Sequence, residues 1–117
     1  MKRYVYVSTS FEGLHRYKEA PEEVSYLRDF HRHIFKVVLQ IEVEHNERDI
    51  EFIMLKHELE KCIASSKHTL QGFDDSCETI AENIIQFIQK KYGMNRDLVC
   101  IVSEDGENGA ILEYIVE

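Results

Sequence analysis

The amino-acid sequence predicts an α+β domain: a four-stranded antiparallel sheet with two helices on one of its faces. Three observations predict it. Segments near both ends of the chain alternate apolar and polar residues with period two, two central segments carry apolar residues at helical spacing, and the strands are grouped apart from the helices. At 117 residues the chain has room for one core, so residues 1–117 form a single domain. A hydrophobic fraction of 44% with only five glycines and one proline is the composition of a folded chain rather than a disordered one.

Lys2 to Phe11, rich in Tyr, Val, Ser and Thr, reads as the first strand. Arg16 to Arg28 holds the only proline, Pro21, and reads as a loop with a short helical turn through Glu22, Glu23 and Val24. The second strand runs from Phe30 to Glu44. His31, His33, Phe35, Val37, Leu39, Ile41 and Val43 share one parity, and mostly polar residues fill the other, broken by Ile34 and Val38. His45 to Arg48 is the polar turn that follows.

The first helix spans Glu51 to Ala64, with Phe52, Leu55, Leu59, Cys62 and Ile63 on one stripe. The second spans Ser76 to Tyr92, with Asp75 and Glu78 at capping-box spacing and Gly93 as its stop. Ile80, Ile84, Phe87 and Ile88, with Ala81 adjoining, form its stripe. Strands at Leu98 to Ser103 and Ala110 to Val116 are joined by a hairpin loop, Glu104 to Gly109. Two helices cover one sheet face, which leaves the other solvated or buried between subunits.

Several function classes are excluded at this level. A formal net charge of −8 argues against a nucleic-acid partner, and Lys90-Lys91 sits where it complements a helix dipole. The opening MKRYVYVSTSFEG turns polar too soon for a signal or membrane segment, so the expected location is cytoplasmic with no membrane partner. Three cysteines without CxxC spacing argue against a disulfide framework or a cysteine zinc knuckle, and Cys62 and Cys100 read as core thiols.

The histidines carry the chemistry. His31 and His33 stand two apart on a strand and project from one face, among apolar side chains that solvate an imidazole poorly. His15, just past the first strand, supplies a third nitrogen if the two strands pair. Three imidazoles leave one tetrahedral position open, the arrangement of catalytic zinc. An HxH pair is also compatible with ordinary hydrogen-bonded histidines. His45 and His57 read as surface residues, and His68, in a polar loop, is ambiguous.

In order along the chain, Phe11 to Arg16 resembles the FSAAHRL segment of the 6-pyruvoyl-tetrahydropterin synthase and 6-carboxytetrahydropterin synthase family. Leu27 to Phe35 resembles its CGRLHGHNY segment, Asp49 to Leu59 the lead into its first helix, Thr79 to Ile84 its PTAENLA segment, and Ile101 to Asp105 its VxET strand end. The resemblance implies a tunnelling-type ββααββ fold, in which subunit sheets join into a barrel and homo-oligomers, often hexamers, form. It implies zinc on His15, His31 and His33, and a pterin-like ring anchored by Glu104. Members act on 7,8-dihydroneopterin triphosphate, eliminating triphosphate and, in the branch that feeds deazapurine (queuosine precursor) synthesis, releasing acetaldehyde.

The departures are specific. Leu27 stands where the family has its catalytic cysteine, and a leucine transfers no proton. His68 is the nearest counterpart of the histidine in the family's Asp-His pair, but Lys67 precedes it. Arg32 replaces the glycine inside HGH, and Ile80 the threonine of PTAEN. Cys77 is the candidate substitute thiol, at a helix start where the dipole favours a thiolate. Three readings stay open at this stage: a zinc-dependent lyase, a paralogue that kept the metal and binds a pterin, purine or nucleotide without the reaction, and a ligand-free oligomeric ring.

Overall fold

The computed structural model describes residues 1–69 and 71–117. Its strands are β1 (Arg3–His15), β2 (His31–Val43), β3 (Leu98–Glu104) and β4 (Asn108–Tyr114), and its α-helices are α1 (Phe52–Ala64) and α2 (Cys77–Tyr92). Short 3-10 turns occupy Glu22–Arg28 and Lys67–Thr69. The four strands form one antiparallel sheet in the order β1-β2-β3-β4. The protein is therefore α+β.

The core follows from β2's alternation. Phe35, Val37, Leu39 and Ile41 are fully buried, as are Leu98, Cys100 and Val102 on β3. Leu55 and Leu59 of α1 and Ile80, Ala81, Ile84 and Ile88 of α2 close over them. Each such aliphatic side chain contributes about 1.5–3 kcal/mol on burial. The face away from the helices stays uncovered in the single chain, with Tyr6, Ile34 and Ile111 exposed. Among the described residues no helix is long and apolar enough to cross a membrane.

Four local expectations are corrected. The first strand does not stop at Phe11 but runs to His15, because its end is held on two sides. β2 pairs along its whole length, and beyond it the Phe73 backbone accepts from Arg16 N–H and donates to the Leu14 carbonyl. Gly13 leaves no room for a side chain here. A Cβ at that position would lie 2.8 Å from Cε2 of Phe35 and 2.9 Å from Cε1 of Phe73.

Phe52, expected in the buried stripe of α1, is exposed. It is the first residue of the helix and lies over the edge strand β1, beside Tyr4 and Val5. At α2 the cap is Ser76, whose hydroxyl accepts from Thr79 N–H at 3.1 Å, and not the Asp75–Glu78 box. That shift by one residue frees Asp75 for another partner. Finally, the β3–β4 turn is shorter than expected. Asp105 and Gly106 adopt positive φ of 60° and 74°, so Glu104 ends β3 as a ladder residue rather than opening a loop.

Candidate metal centre

The β1–β2 register sets His15 directly opposite His31 and Gly13 opposite His33. Cross-strand partners share a face, and residues two apart on a strand share a face, so all three imidazoles point to the same side. That is the covered side, but they lie past the point where Phe35 ends the core. One ring nitrogen of each comes within 4.8 Å of the corresponding nitrogens of the other two.

The opposite ring nitrogens are each committed elsewhere. Nε2–H of His15 donates to the Asp75 carbonyl at 2.9 Å, and Nδ1–H of His31 donates to the Asp29 carbonyl at 2.8 Å. Nδ1–H of His33 donates to Oδ2 of Asp105 at 2.7 Å. A carbonyl or carboxylate oxygen only accepts, so each of these nitrogens carries the proton and the remaining nitrogen of a neutral ring is a bare lone pair. Nδ1 of His15 and Nε2 of His33 are buried with no hydrogen-bond partner. A buried acceptor left unsatisfied costs about 1–3 kcal/mol. A cation shared by three such lone pairs removes that cost, and these histidines could hold a metal ion.

Electrostatics agree. Burial holds the His15 imidazole below the usual histidine range, which favours the neutral form a metal requires, although Glu104 and the Asp75 carbonyl pull the other way. Asp105 is held below the usual carboxylate range by the Ile34 N–H and the His33 ring. Oε2 of Glu104 lies 3.4 Å from His15 Nδ1 and 3.8 Å from His33 Nε2. A cleft of about 490 Å³ opens over this cluster, with His15, His31, Leu27, Cys77, Glu104 and Asn108 in its walls.

Cys77 is brought to the cleft, but not as a thiolate. Burial, with Glu104 and Glu78 adding to it, pushes its thiol up to about 11, so the helix dipole is outweighed. Burial likewise pushes Cys62 to about 11 and Cys100 to about 12. His68 is not among the cleft walls. It is buried behind Phe73, at a ring separation of 4.6 Å, and its Nε2–H donates to Oδ2 of Asp75 at 2.8 Å. Asp75 therefore joins His68 through its side chain and His15 through its main chain. Sequence reasoning did not single out Asp29 or Asp105, and read Asp75 only as a cap.

Neither a scan against protein-family models nor a search of curated proteins finds a match to this chain.

Asp105→Asn tests the carboxylate behind His33. Asparagine tolerates the left-handed backbone but offers one oxygen where the Ile34 N–H and the His33 ring now use two. Cobalt(II) affinity, measured by competition with a chelator, should fall by about 10–100-fold, and unchanged affinity would remove Asp105 from the centre. The thiols supply a pH test. Iodoacetamide labelling of the native protein should be slow at pH 7 and rise about tenfold per pH unit up to pH 10 as the thiolate fraction grows. Labelling already at its plateau at neutral pH would contradict a protonated Cys77.

Proposed function

We propose that the protein is a zinc-dependent lyase that acts on 7,8-dihydroneopterin triphosphate, giving a 6-carboxy- or 6-pyruvoyl-tetrahydropterin, as the sequence resemblance implies. One observation carries the reading: His15, His31 and His33 bring ring nitrogens within 4.8 Å of one another beside a cleft that His15 and His31 line. Three neutral nitrogen donors suit zinc among the first-row ions, and leave it a position for substrate. When bound, the ion supplies Lewis-acid polarisation of a substrate oxygen.

The chain's own groups do the rest. His15, His31 and His33 hold the ion, each oriented by the oxygen behind it. The Glu104 carboxylate can accept two hydrogen bonds from the guanidine-like edge of a pterin ring. Cys77 keeps its proton on Sγ at neutral pH, which suits it to donate rather than abstract one. Leu27 gives the cleft an apolar wall. In this reading the subunits join sheet to sheet in the tunnelling manner, as a cytoplasmic homo-oligomer, a hexamer. Such assembly would bury Tyr6, Ile34 and Ile111, which a monomer leaves in water.

A second reading is favoured by Leu27 in the cleft wall and by His68 behind Phe73: a paralogue that binds zinc and a pterin, purine or nucleotide without the reaction. One set of experiments separates the two. Untagged protein should purify with one zinc per chain, and His31→Ala should lose it; zinc retained in that variant would contradict the ligand assignment. Incubation with dihydroneopterin triphosphate should release triphosphate, with acetaldehyde in the carboxy branch. Zinc and tight pterin binding without turnover would overturn the lyase in favour of the paralogue, and a protein that takes up no metal would overturn both.

A further inference from the structure

The Glu104 side chain has an environment that ring anchoring alone does not explain. Glu104 pairs with Phe35 across the β2–β3 ladder, so its carboxylate is on the histidine face, two residues along β2 from His33. Among the described residues its only ion-pair neighbours are two imidazoles: His15 Nδ1 at 3.4 Å and His33 Nε2 at 3.8 Å from the same oxygen. Neither contact is a hydrogen bond, and both nitrogens are buried without a partner. Their protons are on the opposite ring atoms, held there by Asp75 and Asp105. With both rings neutral, a carboxylate oxygen thus faces bare lone pairs with no hydrogen between them, which is repulsive unless a proton or a metal cation lies among them.

The spacing also fits coordination. Four donors at about 2.0 Å from a tetrahedral ion stand about 3.3 Å from one another. The His15–Glu104 separation is already close to that value, and the His33–Glu104 separation is a few tenths of an ångström wider. Three neutral imidazoles would leave a divalent ion with its full charge in a half-buried site, and one carboxylate halves it.

We propose that Glu104 is the fourth metal ligand of the resting protein, completing a three-histidine, one-glutamate centre. The inference rests on the three-histidine metal reading and refines it. A pair of hydrogen bonds from a guanidine-like edge takes both carboxylate oxygens, so a ligand that engages Glu104 in that way releases it from the ion and vacates a coordination position. The centre is closed at rest and opens on binding.

The test uses cobalt(II) as the metal and azide as the probe of an open position, read by visible absorption of the loaded full-length chain. Glu104→Gln should bind cobalt at least about tenfold more weakly than the wild type, shift the visible bands, and bind azide at least tenfold more tightly, because azide then displaces water instead of a carboxylate. Glu104→Asp, which keeps the charge but withdraws the oxygen by one methylene, should move in the same direction and serves if the amide variant does not fold. Equal cobalt and azide affinities in wild type and both variants would overturn the proposal while leaving the histidine centre intact, provided His31→Ala still abolishes loading. A wild type that takes up no cobalt would overturn both.

Discussion

The register between β1 and β2 is the constraint on which the site depends. Because side chains alternate along a strand, a slip of one residue would send His31 and His33 to the opposite face and separate them from His15. The imidazoles do not hold this register. Phe35, Val37, Leu39 and Ile41 share their parity and are fully buried beneath two helices, so a slip would also turn the core into water. At about 1.5–3 kcal/mol for each large side chain, that cost far exceeds what three polar residues at the strand end contribute. The fold's hydrophobic energy therefore positions the three imidazoles, and a metal ion held there would use a geometry it did not have to stabilise.

Orientation within that geometry comes from elsewhere. Three separate loops each present one oxygen to the back of one imidazole: Asp29 after the 3-10 turn, Asp75 ahead of α2, and Asp105 in the β3–β4 turn. Two of the three are main-chain carbonyls, so they set the tautomer through loop conformation rather than side-chain chemistry. The bridge between His15 and Phe73 explains how the Asp75 loop reaches its partner, since it extends the sheet sideways at the point where β1 would otherwise fray. Fixing a ring by its outer nitrogen is a common way of preorganising a ligand, and it also raises the basicity of the nitrogen that is left free.

Much of this arrangement is legible in the sequence. One parity of β2 runs unbroken from the histidines into the core, so one periodicity identifies both the strand and the face on which His31 and His33 lie. Gly93 and the isoleucine stripe of α2 are equally direct, since capping and helical spacing are local signals. What local signals do not carry is pairing. Nothing in the sequence around Gly13 announces the rings of Phe35 and Phe73 that fill the space beside it. Asp75 looks like a cap until the loop brings it to His68, and the cap passes to Ser76. Asp105 is an unremarkable turn residue in the chain, and only the meeting of the turn with the end of β2 gives it a histidine. Cys77 shows the same limit in its electrostatics, because a helix start suggests a thiolate while burial keeps the thiol protonated.

Metal binding at this site requires three lone pairs to meet at one cation. Diffraction from crystals of zinc-loaded protein, collected on both sides of the zinc absorption edge, tests it most directly. A single anomalous peak bonded to Nδ1 of His15, Nε2 of His31 and Nε2 of His33 is the expected result. A peak at other residues, or histidine rings turned so that these nitrogens bind solvent while zinc sits elsewhere, would contradict it.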